Sequence, residues 1–580
     1  MENIEQIRHS LAHLLAMVVK EKYPAAKLGL GPAIENGFYY DFDLGEKSLT
    51  DTDLDELEKK MRSLISQNLD FATETITADK ACEIFAAEPY KLELIDELEK
   101  NSESISIYRS GDFVDLCAGP HVANSSDIPR DSFRLDRLAG AYWRGNENNK
   151  MLTRVYGLAF TSKPELNDFL DKRAEAEKRD HRKLGKELDL FCFSDLVGPG
   201  LPLFTPKGTI IKEELQKEVE SICRHYGFEK VSAPSLAKQE LFEISGHAKK
   251  FGEELFHVTS EKKHDLVLKP VQCPHHTQIY ASKSRSYKDL PIRYMESDKQ
   301  YRAEKTGEVS GLSRVYAITV EDGHSFCRVD QVKEEIKNMV SIIRDFYSRL
   351  GLWDEHWVSL SVRDYEHPEK YIGEPKDWDT CEQILQEVSN EMGLEAKRCE
   401  GEAALYGPKL DFMFKDATGR EIQIPTVQID FATPKRFNLE FTNEQGEKVP
   451  PVMVHRAILG SYERFLVLLI EHYAGAFPLW LSPVQAKILP ISEKQMVYAK
   501  EILAELKARN IRVELDENNE TLGKKIRNAK MEKIPYLLVV GDKEMESKTV
   551  TVEARGANKG ESVSLAVFCA KIEEGLKSRK

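Results

Sequence analysis

Three separated stretches each hold one strong metal-binding side chain: Cys273 in LKPVQCPHH, His324 in VEDGHSFC and His455 in VMVHRAILGSYERF. One thiolate and two neutral imidazoles fill three positions of a tetrahedral zinc ion and leave the fourth open, which suits a metal that takes substrate better than a closed structural site. Two arginines accompany them, Arg302 in QYRAE and Arg464 in SYERF, and planar guanidinium groups suit bidentate contact with phosphate. The chemistry implied is ATP-driven activation of a molecule that can also bind a metal. Rival ligands remain, because His275, His276 and Cys327 lie within three residues of the triad, and a single Cys or His in an apolar stretch is more often packed core. A second group sits near the start. His9 and His13 are four apart in HSLAH, on one face of a helix, and DLCAGPH supplies Asp115, Cys117 and His121. By ligand count HxxxH with CxxxH could hold zinc; HxxxH alone is more often a surface pair.

The elements that must position these groups divide the chain. Residues 4–22 have helical apolar spacing, an aromatic strand pattern follows GLGPAIENG, and 51–67 is a charge-rich helix. Residues 163–187 have few large apolar side chains and predict a solvent-exposed connecting helix. A Gly/Pro-rich turn at 198–208 opens a long helix, and the strand-rich middle with hairpin spacing predicts an antiparallel sheet flanked by helices. Beyond FPLWLSPVQAK, strands alternate with helices at 493–508, 521–531 and 563–576, a small α/β domain. The expected division is 1–162, a linker helix over 163–187, 188–480 and 481–580, an α+β multidomain chain.

Composition limits the function. The 580 residues carry a net charge of −15, against a broadly basic nucleic-acid coat, although residues 481–580 hold 19 basic and 15 acidic groups and allow a local polyanion contact. Nine cysteines, an odd number with no CxxC pair, and a polar N-terminus without a signal sequence predict a soluble protein of the reducing cytoplasm.

From about 190 to 480 the chain resembles the catalytic domain of class II aminoacyl-tRNA synthetases, and the threonyl-tRNA synthetase family in particular. GFEKVSAPSL resembles the first class II motif, with Pro234, and implies a homodimer. YRAE resembles the second, with Arg302 on the α-phosphate of ATP and Glu304 on the adenine, and HRAILGSYERF the third, with Arg464 on the γ-phosphate. Mg²⁺ is expected with the triphosphate. Cys273, His324 and His455 match the family's zinc ligands, one Zn²⁺ per chain. The resemblance further implies Arg314, Gln423 and Thr426 around ATP, Asp322, Tyr406 and Gln428 around threonine, and Lys409 as a catalytic group. Two positions depart from the pattern: Val320 replaces a glutamine that seats the amino-acid carboxylate, so either another donor acts or the carboxylate is held less firmly, and Pro425 replaces a glycine, which restricts the backbone near the ATP site.

The N-terminal region resembles the family's editing domain, with His9, His13, Lys91, Asp115, Cys117 and His121 in one hydrolytic cleft. The chemical need is clear: serine also offers a metal an amine and a hydroxyl, and one methyl discriminates by only about 10–200-fold. The small ubiquitin-like module that opens family chains has no counterpart ahead of HSLAH. Residues 482–580 resemble the anticodon-binding domain, with Glu546 and Arg555 near anticodon bases. The implied activity is threonine–tRNA ligase with tRNA(Thr), ATP and L-threonine as partners. Its rivals are a seryl or prolyl enzyme and a non-catalytic RNA-binding regulator; the metal triad speaks against the first and the retained arginines against the second.

Overall fold

The structure, a computed structural model, describes residues 2–261, 265–305, 307–416, 419–557 and 559–579. The chain packs as two compact units, Met1–Ala174 and Glu175–Lys580. In the first, the helix Glu2–Lys22 buries Leu11, Leu14, Leu15, Val18 and Val19, and its core continues into Phe38, Tyr40 and Phe42 of the strand Gly37–Asp43. That strand lies between Lys27–Leu28 and Met151–Ala159, with Phe133–Tyr142 beyond, all antiparallel. A second antiparallel sheet joins Ala72–Ile76, Ile105–Ser110 and Phe113–Leu116, backed by the helices Ala78–Ile84 and Pro89–Lys100.

The second unit is built on an eight-stranded sheet. Its order is Glu229–Lys230, Ile292–Tyr301, Ala317–Cys327, Val452–Ser461, Glu421–Asp430, Lys409–Lys415, Trp357–Val362 and Lys397–Glu400. It is antiparallel except at its two edge pairs. The helices Pro206–His225, Val332–Arg349 and Tyr462–His472 bury their apolar faces in its large core. The C-terminal sheet runs Val513–Leu515, Ala486–Pro490, Tyr536–Val540, Thr549–Ala554 and Glu561–Ser564, parallel at first and then antiparallel. The edge strand Glu561–Ser564 and the short helix Asp542–Ser547 were not expected, because ESVS and DKEMES carry too few apolar residues to show a period.

The expected connecting helix is two helices, Lys163–Arg179 and His181–Glu187. Asp180 breaks the run and caps the second helix, accepting from Arg182 N–H at 2.7 Å. The second helix buries one face: His181, Leu184 and Gly185 are buried, and the His181 ring lies 2.8 Å from Glu471 and accepts from Leu312 N–H at 3.3 Å.

Two irregularities shape the central sheet. Against Lys409–Lys415, the pairing of Glu421–Asp430 slips between Asp411↔Thr426 and Met413↔Gln423. Pro425 sits in that slip, where no ladder N–H is required. The departure from glycine is thus accommodated by a bulge. A second slip, from Asp322↔Ala457 to Val320↔Ser461, includes Gly460 at φ +59 and releases the chain into the helix of Arg464.

Below this second slip, Arg456 and Glu321 are 0% and 1% exposed. Arg456 Nη1 donates to both Glu321 oxygens at 2.7 Å. Arg456→Met strands a buried carboxylate and is expected to cost about 3–5 kcal/mol. Arg456→Met combined with Glu321→Leu should recover much of that loss, measured by denaturant unfolding.

Candidate functional sites

Strand pairing brings the metal-binding set together across 182 positions of sequence. Ala317–Cys327 and Val452–Ser461 place His324 directly opposite His455, with ring centroids 4.8 Å apart at 81°. Cys273 is the first residue of the helix Cys273–Ala281 and is 4% exposed. One ligand atom from each of the three residues lies within 4.8 Å of the other two. His324 is fully buried and its Nε2 has no hydrogen-bond partner among the described residues. That orphaned lone pair, in a thiol-and-two-imidazole set, fits a zinc ion. Burial holds the His324 imidazole well below its ordinary pKa and so neutral. It pushes the Cys273 thiol up, with the Asp322 and Asp430 carboxylates adding to the shift, so metal binding must displace a proton. Of the rivals, His276 turns its Nδ1 to His324 at 2.7 Å and its Nε2 to Glu296 at 3.3 Å, and neither His275 nor Cys327 joins the group.

Cys273 and His455 line a cavity of about 650 Å³, while His324 lies buried outside its lining. Arg302, Glu304, Arg314, Asp322, Tyr406, Gln423, Thr426, Gln428 and Arg464 all line it. Gln423 and Thr426 have opposite parity along one strand yet face the same space, which the bulge at Pro425 permits. The Tyr406 ring stacks on His455 at 4.8 Å and 18°, and its hydroxyl donates to Gln428 Oε1 at 2.7 Å. Gln423 donates to Asp411 at 2.6 Å. Arg314 pairs with Glu304 at 2.7 Å and Glu308 at 2.8 Å. Arg302 donates to the Pro270 carbonyl at 3.3 Å and stands 5.0 Å over the Phe251 ring. Burial depresses the pKa of both Arg302 and Arg464, and Arg464 is pushed further by Arg420 and Arg314. Two cations on one cavity, Arg302 half-buried and Arg464 exposed with other arginines near it, make a site for a polyanion. Burial also lifts Asp322 to about 6, against the pull of the His455 and His276 imidazoles.

Lys409 is placed otherwise than expected: it is outside the cavity lining, and its ammonium pairs with Asp411 at 2.7 Å. The lining also holds groups that no motif flagged. Lys250 has its pKa depressed by burial and by Arg302 and Lys409. His247 is lowered to about 3 by burial. Gln300 is 1% exposed, with its Nε2 unbonded among the described residues. Gln300 pairs with Ile318, so it is the diagonal neighbour of Val320 on the cavity face.

In the first unit the second cluster also assembles. Cys117 Sγ lies 3.1 Å from His9 Nε2 and 3.3 Å from His121 Nε2, and His13 is 4.2 Å from the His121 ring. One ligand atom from each of these four residues lies within 4.8 Å of the rest. Lys91 does not stand free in the cleft. Its ammonium, 2% exposed, is 2.6 Å from Asp115 Oδ1, and Asp115 Oδ2 accepts from Tyr40 Oη at 2.5 Å and lies 3.6 Å from His13 Nε2. Ser10 Oγ is 3.1 Å from His121 Nδ1. Tyr40 and Ser10 complete the network, and only their positions inside FYYDF and HSLAH could have hinted at them. Burial, reinforced by His13 and His9, holds His121 down to about 2, and burial pushes the Cys117 thiol up to about 11. The cluster is therefore a set of neutral donors and acceptors around one paired charge.

The two anticodon candidates lie in the C-terminal sheet region but differ in availability. Glu546 is exposed on the helix Asp542–Ser547. Arg555 spends its guanidinium on the carbonyls of Lys533 at 2.8 Å and Phe477 at 2.7 Å. Among the described residues, no helix is long and apolar enough to cross a membrane.

Comparison with known proteins matches each region. Residues 256–473 match the tRNA synthetase class II core domain (G, H, P, S and T), residues 485–575 the anticodon binding domain, and residues 105–156 the threonyl and alanyl tRNA synthetase second additional domain. A threonine–tRNA ligase of Parabacteroides distasonis is 46% identical over 566 residues, 97% of this chain and 86% of the relative. One from Gloeobacter violaceus is 44% identical over 100% of this chain and 93% of its own. Among solved structures, the RNA binding domain of threonyl-tRNA synthetase from Cryptosporidium parvum superposes with a TM-score of 0.64 at 34% identity, covering 68% of this chain and 98% of that one. With its core, anticodon-binding and additional domains matched and near-full-length relatives this similar, the chain belongs to the threonine–tRNA ligase family.

Proposed function

We propose that this chain activates L-threonine with ATP, transfers it to tRNA(Thr) and hydrolyses mischarged seryl-tRNA(Thr). The observation that carries the reading is one cavity lined by Cys273 and His455 together with Arg302 and Arg464, with His324 buried directly opposite His455. Cys273, His324 and His455 would hold Zn²⁺, which would supply Lewis-acid binding to the amine and hydroxyl of threonine; valine, lacking the hydroxyl, would satisfy it only in part.

The chain's own groups do the rest. Arg302 and Arg464 take the α- and γ-phosphates, and the charge that builds up during displacement at the α-phosphate is met by their guanidinium groups. Mg²⁺ accompanies the triphosphate. Arg314, Glu304, Gln423 and Thr426 frame the nucleotide; Tyr406, Gln428 and Asp322 frame the amino acid. Gln300, with a spare amide beside Val320, supplies the donor that Val320 cannot. Lys409 acts by holding Asp411, which in turn fixes Gln423. The proposed division remains 1–162 for editing, 188–480 for activation and 481–580 for the anticodon, with Glu546 the better placed of the two base readers. A homodimer through 209–235 and a cytoplasmic location complete the proposal. The exposed apolar side chains Phe193, Leu196, Val197 and Leu203, just ahead of the helix Pro206–His225, support the dimer.

In the editing cleft, the Lys91–Asp115 pair holds His13, and Ser10 holds His121. His9 and His13 are then free, as neutral imidazoles, to take a proton from a water that attacks the seryl ester.

Cys273→Ser is expected to lose zinc and threonine-dependent ATP–pyrophosphate exchange together; a variant shown to be zinc-free that exchanges at the wild-type rate contradicts the metal role. Replacing His9 and His13 by Ala should leave threonine charging within about twofold while seryl-tRNA accumulates, checked by deacylation of pre-formed seryl-tRNA. The buried imidazoles also set an acid limit. Unfolded, they take up a proton near pH 6.5; folded, they stay neutral, so stability is full above that pH and falls below it. The slope is about 1.4 kcal/mol per pH unit for each such imidazole. Hydrogen exchange of residues 133–159, corrected for intrinsic rates, should show protection falling between about pH 6.5 and 5, and falling less steeply in His13→Ala.

A further inference from the structure

Both histidines of the metal-binding set have a partner behind the ring, but the partners differ. His455 Nε2 faces the Asp430 carboxylate directly at 3.1 Å, and Asp430 is fixed by the N–H groups of Ala432 and Thr433 at 2.8 Å. Behind His324 the partner is another imidazole. His324 Nδ1 lies 2.7 Å from His276 Nδ1, and His276 Nε2 lies 3.3 Å from Glu296 Oε2. His276 and His324 are both 0% exposed and Glu296 is 4% exposed. Glu296 is itself held by the Ala233 N–H at 2.5 Å and sits 4.0 Å from the Lys269 ammonium.

A hydrogen bond between two imidazole nitrogens needs one N–H and one lone pair. For neutral rings the surroundings choose between the two arrangements. If His276 Nδ1 carried the proton, its bare Nε2 would set a lone pair against the Glu296 carboxylate, and His324 would bury an N–H at Nε2, which has no acceptor among the described residues. In the opposite arrangement every group is matched: His324 donates from Nδ1 to His276, His276 donates from Nε2 to Glu296, and the bare nitrogen left over is His324 Nε2.

We propose that His276 is a positioning residue for the metal site, relaying the Glu296 carboxylate to His324 so that one tautomer and one ring orientation leave His324 Nε2 bare for a metal. The proposal rests on the reading of Cys273, His324 and His455 as a zinc site. It assigns His276 a place behind a ligand, although its sequence position, three residues from Cys273, made it a rival ligand.

The test is zinc binding by the full chain, measured by competition with a chelator of known affinity and by zinc content at saturation, without reference to activity. His276→Leu keeps much of the volume and removes the acceptor; His276→Asn keeps an oxygen near the place of Nδ1. Zinc affinity should fall about 10–100-fold in His276→Leu, recover most of the way in His276→Asn, and reach one zinc per chain in both at saturation. Glu296→Gln, with the same shape and no charge, should weaken zinc in the same direction by a smaller factor, and it stands in if His276→Leu does not fold by circular dichroism. Wild-type affinity in a folded His276→Leu or in Glu296→Gln overturns the relay. A folded His276→Leu that takes no zinc at saturation, while wild type takes one, makes His276 a ligand and also overturns it. A wild-type chain that binds no zinc overturns the triad reading and the relay with it.

Discussion

The activation site depends on one register: the antiparallel pairing of Ala317–Cys327 with Val452–Ser461, which sets His324 against His455. A slip by one residue would set the two imidazoles on opposite faces of the sheet. Two features oppose such a slip. The buried pair of Arg456, next to His455, with Glu321, three residues before His324, ties the two strands, and another register would strand a buried charge. The bulge between Val320 and Asp322 fixes where pairing ends and where the helix of Arg464 begins. One strand pair thus sets the spacing between His455 and Arg464 along the cavity.

The separation of activation from correction follows from the chemistry of the two substrates. A metal that holds an amine and a hydroxyl responds strongly to the absence of the hydroxyl and weakly to the absence of a methyl. Serine therefore passes the first test, and the second site must work on the ester after transfer. The cluster in the first unit suits this task. Its charges, Lys91 and Asp115, are paired and buried, while the imidazoles around Cys117 are kept neutral by burial. A neutral imidazole can accept a proton from water; one already protonated cannot.

Much of this was legible in the sequence because it lies in residue types whose chemistry is narrow. Cys273, His324 and His455 stand out by ligand type, Arg302 and Arg464 by context, and HSLAH with DLCAGPH by spacing; the strand-rich middle of the chain forms a largely antiparallel sheet flanked by helices. What escaped was partnership. Lys409 and Lys91 look like free cations in sequence, yet each is neutralised by an aspartate, one two positions away and one 24 positions away. Arg555 looks like a base reader, yet its donors go to two carbonyls. The connecting helix looked exposed because its apolar content is low, but His181 and Leu184 are buried among residues more than a hundred positions away. Gln300, Tyr40 and Ser10 belong to common types in unremarkable contexts, and only the pairing of strands reveals that they face a site. Pro425, read as a restriction, is tolerated because the strand bulges where it stands.

The most direct measurement is ATP–pyrophosphate exchange by the wild-type chain with threonine, serine and valine in turn, each with zinc loaded and zinc removed. If an open metal position reads the hydroxyl, threonine and serine both support exchange in the loaded protein, valine supports none, and removing zinc abolishes all of it. Exchange with valine at a rate comparable to threonine, or undiminished threonine exchange after zinc removal, would contradict the role given to Cys273, His324 and His455.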